Sequence, residues 1–202
     1  MTKIGAIITT LALAEIILSA VPSLADYQTG MGAYRVRDYK WAMKEFKADP
    51  NRDSCYSLGV MYFKGEGVKA DHLEGIDWFR KAADQGHSQA QFLLGTMYDS
   101  GKDVIQDRAV AAKWYVKAAE QGHVQAQFNI GLMYVNGEGV EKNRDNAVAW
   151  LKKAAGKGHH DAGRLLKTMG EEVPPQAKVK TKAKGKVPQT GGTPSEKPPG
   201  HP

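Results

Sequence analysis

The chain has 202 residues, of which 42% are hydrophobic, and a formal net charge of +6. That length suits an ordinary globular protein, but the composition is uneven and both ends differ from the middle. Cys55 is the only cysteine, which excludes an internal disulfide, so packing alone must hold the fold. We expect Cys55 to be a half-buried bystander thiol, and an intermolecular disulfide is the alternative.

The first 25 residues have the pattern of a secretory signal peptide. Lys3 precedes an apolar stretch over residues 4–18, and the small residues Ser23 and Ala25 follow it. This order predicts cleavage after Ala25 and export, to the periplasm or as a secreted protein. An uncleaved membrane anchor is the alternative, but the apolar stretch contains Glu15 and is shorter than the roughly 20 residues of a spanning helix.

Residues 26–53 are predicted to form an N-terminal capping helix. Tyr39, Ala42 and Phe46 recur at helical spacing within the stretch from Tyr34 to Lys47. This helix should cover the first unit of the repeated region that follows it, as terminal units do in repeat proteins.

The middle of the chain repeats with a period of 36 residues. Trp78, Trp114 and Trp150 are separated by this step, which also relates several glycines, tyrosines, valines and Ala-Ala pairs. One period shared by so many residue types indicates three copies of one structural unit. The predicted copies are residues 54–89, 90–125 and 126–161.

Each copy carries two apolar stripes with helical spacing. Positions 90, 93, 94, 97 and 98 form the stripe of a first helix, helix A, and positions 147, 150, 151, 154 and 155 that of a second, helix B. The predicted N-caps of the B helices are Asp71, Asp107 and Asn143. The predicted capping boxes pair Ser88 with Gln91 and Asp71 with Glu74.

Three glycines lie in the middle of the A helices, namely Gly59, Gly95 and Gly131. A glycine there costs about 1 kcal/mol relative to alanine, so we expect close helix crossings to compensate. The predicted fold class is therefore all-α, an α/α superhelical solenoid of three helix-pair repeats with half-repeat caps.

The C-terminal part divides into a helix and a tail. Residues 162–170 repeat the start of helix A and should form a C-terminal capping helix. Residues 171–202 hold seven of the nine prolines and no aromatic residue, and their six lysines and three glutamates give 6 − 3 = +3. This composition predicts a disordered basic tail.

The stretches AQFNIGLMYVNGEGVEKN and AAKWYVKAAEQGH closely resemble the Sel1-like repeat (SLR) family, a relative of the tetratricopeptide repeat. The resemblance covers roughly residues 54–161. It implies a right-handed superhelix that serves as an adaptor for proteins, often in bacterial envelopes or at host interfaces, and it implies no shared chemistry. The second copy departs from the motif at Asp103, where the family has its second glycine. Cysteine-rich members linked to β-lactam binding carry a disulfide in every repeat, which this chain lacks.

The recurring histidines His87, His123 and His159 suggest a metal site at first sight. Equivalent positions in stacked repeats are about 8 to 10 Å apart or more, whereas zinc ligands lie about 2 Å from the metal. We therefore assign these histidines to turns. Glu66 and Glu138 stand two repeats apart, too far for paired carboxylate catalysis. No catalytic, cofactor-binding or metal-binding residue is predicted, and the chain is not expected to be an enzyme.

The leading hypothesis is an exported scaffold, monomeric, that binds a protein or peptide and no nucleic acid. Helix-A positions that vary between copies are predicted to contact the partner: Ser57, Val60, Leu93, Thr96, Asn129 and Leu132. The ladder of Tyr56, Phe92 and Phe128 is expected in the inter-repeat core, with a partner groove as the alternative. A second hypothesis is an envelope-surface binder whose tail docks on anionic lipid or cell-wall polymer. A cell-wall or β-lactam hydrolase is the remote third.

Overall fold

The computed structural model describes residues 23–176, which form nine α-helices and no strand. The all-α fold class is confirmed. In chain order the helices are α1 (Ser23–Arg35), α2 (Tyr39–Ala48), α3 (Arg52–Lys64), α4 (His72–Asp84), α5 (Ser88–Ser100), α6 (Arg108–Glu120), α7 (Val124–Asn136), α8 (Arg144–Gly156) and α9 (His160–Thr168). The predicted signal peptide lies outside the described residues, apart from residues 23–25 at the start of α1.

Each helix packs against the next one in the chain, so the described residues form a solenoid. The pairs α3–α4, α5–α6 and α7–α8 begin and end at positions 36 residues apart. The first helix of each pair is the predicted helix A and the second is helix B. The outer surfaces of these helices are called the A-helix face and the B-helix face below.

The N-terminal segment differs from the prediction because residues 26–53 contain two helices instead of one. The second, α2, is the expected B-type helix, and α1 packs beside it as an A-type helix. The loop between them spans only residues 36–38, whereas the corresponding loop of the first repeat spans residues 65–71. This loop is four residues shorter, and α2 is three residues shorter than α4. The two differences take α1 out of the 36-residue register and hide it from a comparison at fixed offset.

The mid-helix glycines lie where a B-helix side chain crosses its A helix. A Cβ atom built on Gly95 would lie 2.6 Å from a ring carbon of Tyr115, and one built on Gly59 would lie 2.5 Å from Phe79. At Gly131 the corresponding neighbour is Leu151, at 2.9 Å. The predicted close crossings are therefore present in all three repeats.

The core consists of apolar clusters that join one repeat to the next. The Ala82-Ala83 pair of α4 packs with Ala90 and Leu94 of α5, and the later repeats do the same. Cys55 belongs to this core and is only 1% exposed, so the expectation of a half-buried thiol is wrong. The Cys55 Sγ lies 3.1 Å from the carbonyl oxygen of Pro50, inside the first cluster.

Helix capping agrees with the prediction for the B helices and differs for the A helices. Asp71, Asp107 and Asn143 are N-caps as predicted. Neither capping box forms, because Glu74 accepts from the indole of Trp78 and Gln91 is buried, donating to the carbonyl of Ala83. The A helices α5, α7 and α9 are capped by the side chains of His87, His123 and His159.

The C-terminal end is closed by α9 and by an extended segment, residues 171–176, which we call the strap. Val173 packs on the last apolar cluster, and Glu171 pairs with Lys152 and Arg144 at 3.0 and 3.2 Å. Residues 171–176 are therefore packed against the last repeat, whereas the prediction placed them in a disordered tail. Residues 177–202 lie outside the described part.

The glycine crossings can be tested by a matched pair of alanine substitutions. Gly95→Ala should lower the free energy of unfolding by about 1 to 3 kcal/mol, because the added methyl meets the Tyr115 ring in a packed core. Gly32→Ala, in α1 with no heavy atom within 4 Å of the added Cβ, should raise it by about 0.5 to 1 kcal/mol. Urea unfolding of both variants measures this, and an increase for Gly95→Ala would contradict the crossing.

A second prediction concerns a buried amide oxygen. In the second repeat, Gln121 donates to the Oε1 of Gln91 at 2.7 Å. In the third repeat the equivalent residues are Lys157 and Gln127, and the Gln127 Oε1 accepts no hydrogen bond from any described residue. Lys157→Gln should supply that donor and raise the free energy of unfolding by about 1 kcal/mol, as measured by urea denaturation. An unchanged or lower stability would show that the orphaned oxygen is satisfied in another way.

Candidate functional site

Each of the three cap histidines also contacts the A helix that precedes the one it caps. Each ring stacks on an aromatic ring of the A helix before it, with centroids 4.3 to 4.4 Å apart. The stacked pairs are Tyr56 with His87, Phe92 with His123 and Phe128 with His159. The aromatic ladder is thus a set of inter-repeat contacts, as expected, and its partners are the histidines assigned to turns.

Two of these rings, His87 and His123, have hydrogen bonds and burial that favour the neutral form. The Nδ1 of His87 and that of His123 each accept from a backbone N–H, of Ala90 and Ala126, at 3.2 Å. An accepting Nδ1 requires a neutral ring. Burial lowers the pKa of both imidazoles below the ordinary 6.5, although Asp53 opposes this shift at His87. The caps therefore favour the uncharged state near neutral pH.

Two of the predicted partner residues lie together on the A-helix face. Ser57 and Val60 of α3 line a groove of about 230 Å³. The other lining residues are Tyr27, Met31, Tyr34 and Tyr56. The groove exists because α1 supplies its second wall, so the helix that sequence comparison missed completes it.

The remaining predicted residues are more scattered. Leu93 packs against the first repeat's core and is half-buried. Thr96 and Asn129 both lie near the hydroxyl of the buried Tyr115, which is 3.5 Å from the Thr96 Oγ1. Leu132 is 36% exposed on α7. The structure groups Ser57 with Val60 and Thr96 with Asn129, but it does not bring all six residues to one point.

A tyrosine ties α1 to the first repeat at the edge of the groove. The Tyr34 hydroxyl donates to the Oε2 of Glu66 at 2.6 Å. Burial, together with this carboxylate, raises the pKa of Tyr34 to about 12. The phenol therefore stays protonated at physiological pH, and this hydrogen bond holds the wall formed by α1 against the 65–71 loop.

The B-helix face carries a feature that sequence reasoning missed. Each repeated tryptophan is covered by a lysine three residues later, with Nζ 3.8 to 4.1 Å from the ring centroid. The pairs are Trp78 with Lys81, Trp114 with Lys117 and Trp150 with Lys153. The sequence did contain a sign of these pairs, because the lysines recur at the same 36-residue step as the tryptophans. Half-buried tryptophans with cations over their faces form a basic, aromatic surface.

Within residues 23–176 no three His, Cys, Asp or Glu side chains come together as a metal-binding group. Burial raises the pKa of the Cys55 thiol, which leaves it a poor nucleophile. No helix in this range is both long and apolar enough to span a membrane.

Comparison with known families identifies the repeat. The Sel1 repeat matches three times, at residues 52–87, 88–123 and 124–159. Each match begins and ends two residues before the copy expected from the sequence. Among curated proteins none is significantly similar to the chain.

Solved structures with the same repeat are similar over most of the chain. A Sel1 repeat protein from Oxalobacter formigenes is 34% identical with a TM-score of 0.65, over 73% of this chain and 63% of that one. A protective antigen present in uropathogenic Escherichia coli strains, with an SLR fold, is 27% identical with a TM-score of 0.67, over 79% of this chain and 36% of that one. The aligned part spans less than two thirds of either structure.

The histidine caps predict a pH dependence of stability. The pKa of His87 and of His123 is lowered by folding, so the unfolded chain binds these protons more readily. Stability is then complete above about pH 6.5 and falls as the pH drops below it, since each lost cap costs about 1 kcal/mol. Urea unfolding at about pH 7.5 and pH 5.5 measures the difference.

The matched control replaces His87 and His123 with asparagine, which caps helices without titrating. This variant should lose less stability than the wild-type chain over the same pH interval. An equal loss in both proteins would mean that other groups cause the pH dependence.

Proposed function

Because the chain belongs to the Sel1 repeat family, whose members generally mediate protein–protein interactions, we propose that it is an exported scaffold that binds a protein or peptide partner. It works in the bacterial envelope or at a host interface. Sel1-repeat proteins are typically non-catalytic scaffolds, and this chain acts in the same way, through its surface.

The observation that carries the proposal is the groove on the A-helix face between α1 and α3. Its walls are apolar and aromatic, and the Ser57 hydroxyl, which donates to the carbonyl of Asp53, adds a polar group. Aromatic grooves with a few polar groups are common peptide-binding surfaces. A partner that enters this groove can extend past Thr96 and Leu132 along the same face.

Export is supported by the order of residues in the first 25 positions. Cleavage after Ala25 leaves the α1 residues that pack with α2 and α3, namely Tyr27, Met31, Ala33 and Tyr34. The similarity to a protective antigen of uropathogenic Escherichia coli also favours a place outside the cytoplasm.

The basic tail adds a second, weaker contact. Residues 177–202 contain six lysines and one glutamate, and each lysine near an anionic surface contributes about 1 kcal/mol at low salt. We propose that this segment holds the scaffold near anionic lipid or cell-wall polymer while the solenoid binds its partner. Binding to such surfaces should be lost on deletion of the tail and fall steeply with ionic strength.

Site-specific photo-cross-linking in the native cell tests the partner surface. A photoreactive residue at Leu132, on the A-helix face, should trap a defined protein, and the same residue at Lys142, in the loop before α8, should trap much less. The full-length chain and a version without residues 177–202 are compared. Equal trapping at both positions, or none at either, would contradict a partner on the A-helix face.

A further inference from the structure

A second groove lies on the B-helix face beside α6, with a volume of about 650 Å³. Its walls are mostly apolar, and its charged lining residues are Lys113 and Lys117. The main apolar lining residues are Val110, Trp114, Val116, Tyr134 and Val140. The groove therefore combines apolar walls with two cations and no carboxylate.

At the equivalent place, the first repeat has polar contacts among its own side chains. The Nε1 of Trp78 donates to the Oε1 of Glu74 at 2.8 Å. Arg80 reaches across to the hydroxyl of Tyr98 at 3.4 Å and pairs with Asp77 at 2.8 Å. The Trp78 indole thus has a carboxylate acceptor, and Arg80 connects α4 to Tyr98 of α5.

The third repeat has Asn146 at the position of Glu74, and the strap brings a carboxylate to another part of α8. Glu171 accepts from Lys152 at 3.0 Å and from Arg144 at 3.2 Å, both on α8. Two residues later, Val173 packs on the apolar cluster of the same repeat. An extended segment with a carboxylate beside an aliphatic residue is thus already seated against one B helix of this chain.

The second repeat lacks both arrangements. Val110 stands at the position of Glu74, so the carboxylate that accepts from the indole in the first repeat is missing. Val116 replaces Arg80 and cannot bridge to Tyr134, and Lys113 replaces Asp77, which reverses the charge. The nearby carboxylates of Asp99 and Glu138 face Arg108 instead, each at 3.7 Å.

We propose that this groove binds an extended segment of a partner protein in which an acidic side chain stands next to an aliphatic one. The acidic side chain accepts from the Trp114 Nε1 and pairs with Lys113 and Lys117, and the aliphatic side chain packs against Val116 and Val140. The inference rests on the proposed function, because it names a surface and the chemistry of a partner segment for a scaffold.

The test uses a labelled peptide with the sequence of residues 169–176, MGEEVPPQ, because that segment has the required chemistry. Fluorescence anisotropy with the full chain at low salt should show binding, and a peptide with both glutamates changed to glutamine should bind about tenfold more weakly. Val110→Glu restores the first repeat's carboxylate inside the groove and should weaken binding by about tenfold or more.

The matched control is Asn146→Glu, which makes the same charge change at the same helix position of α8. It should leave the affinity within about twofold, while Trp114→Phe, which keeps a ring and removes the N–H, should weaken binding severalfold. Equal weakening by Val110→Glu and Asn146→Glu, or stronger weakening by Asn146→Glu, overturns the assignment to α6.

Absence of peptide binding, or binding that is independent of the glutamates, also overturns it. Such a result differs from failure of the proposed function. If cross-linking at Leu132 traps a partner while the peptide does not bind, the scaffold function stands and only the B-helix groove is rejected. If anionic vesicles bind at the groove in place of the peptide, the partner chemistry is wrong.

Discussion

The whole solenoid depends on the contact between a glycine backbone in each A helix and a large side chain of its B helix. Because Gly59, Gly95 and Gly131 have no Cβ, the side chains of Phe79, Tyr115 and Leu151 lie directly on the helix backbone. This contact fixes how closely the two helices pair. The Ala-Ala pairs then determine how closely the next repeat can pack. Although each repeat contacts only its neighbours, these contacts together form a continuous buried core.

The sequence was sufficient for the repeated part of this architecture. Residues that recur at one spacing predicted the period, the helical stripes, the B-helix caps and the glycine crossings. The folded helix pairs keep the same 36-residue spacing. Helix α1 was missed because its short loop breaks the register. The histidine caps were missed because Ser88 and Gln91 offer a familiar capping pattern, while the stacking that favours the histidine comes from the preceding repeat and has no local signal.

The candidate surfaces were harder to predict, because they arise where the repeats differ. Variation at helix-A positions identified Ser57 and Val60, but the groove beside them needs α1. The B-helix groove depends on Val110 and Val116. Their role becomes visible only when they are compared with Glu74 and Arg80, which occupy the same positions in the first repeat. Asp103 is a similar case: it takes the left-handed backbone conformation with φ 66° in the place of a glycine, and its carboxylate contacts His72 at 3.0 Å.

The strap covers one end of the solenoid, and this affects how the number of repeats can change. A stack of identical units has no inherent end, because its last helix presents the same apolar stripe that every earlier helix buries against a successor. Here six extended residues cover part of that stripe, and Glu171 gives them a fixed direction along α8. Duplication of a 36-residue unit within residues 52–159 would lengthen the protein without disturbing this end. Loss of the strap would instead expose the part of that stripe which Val173 covers.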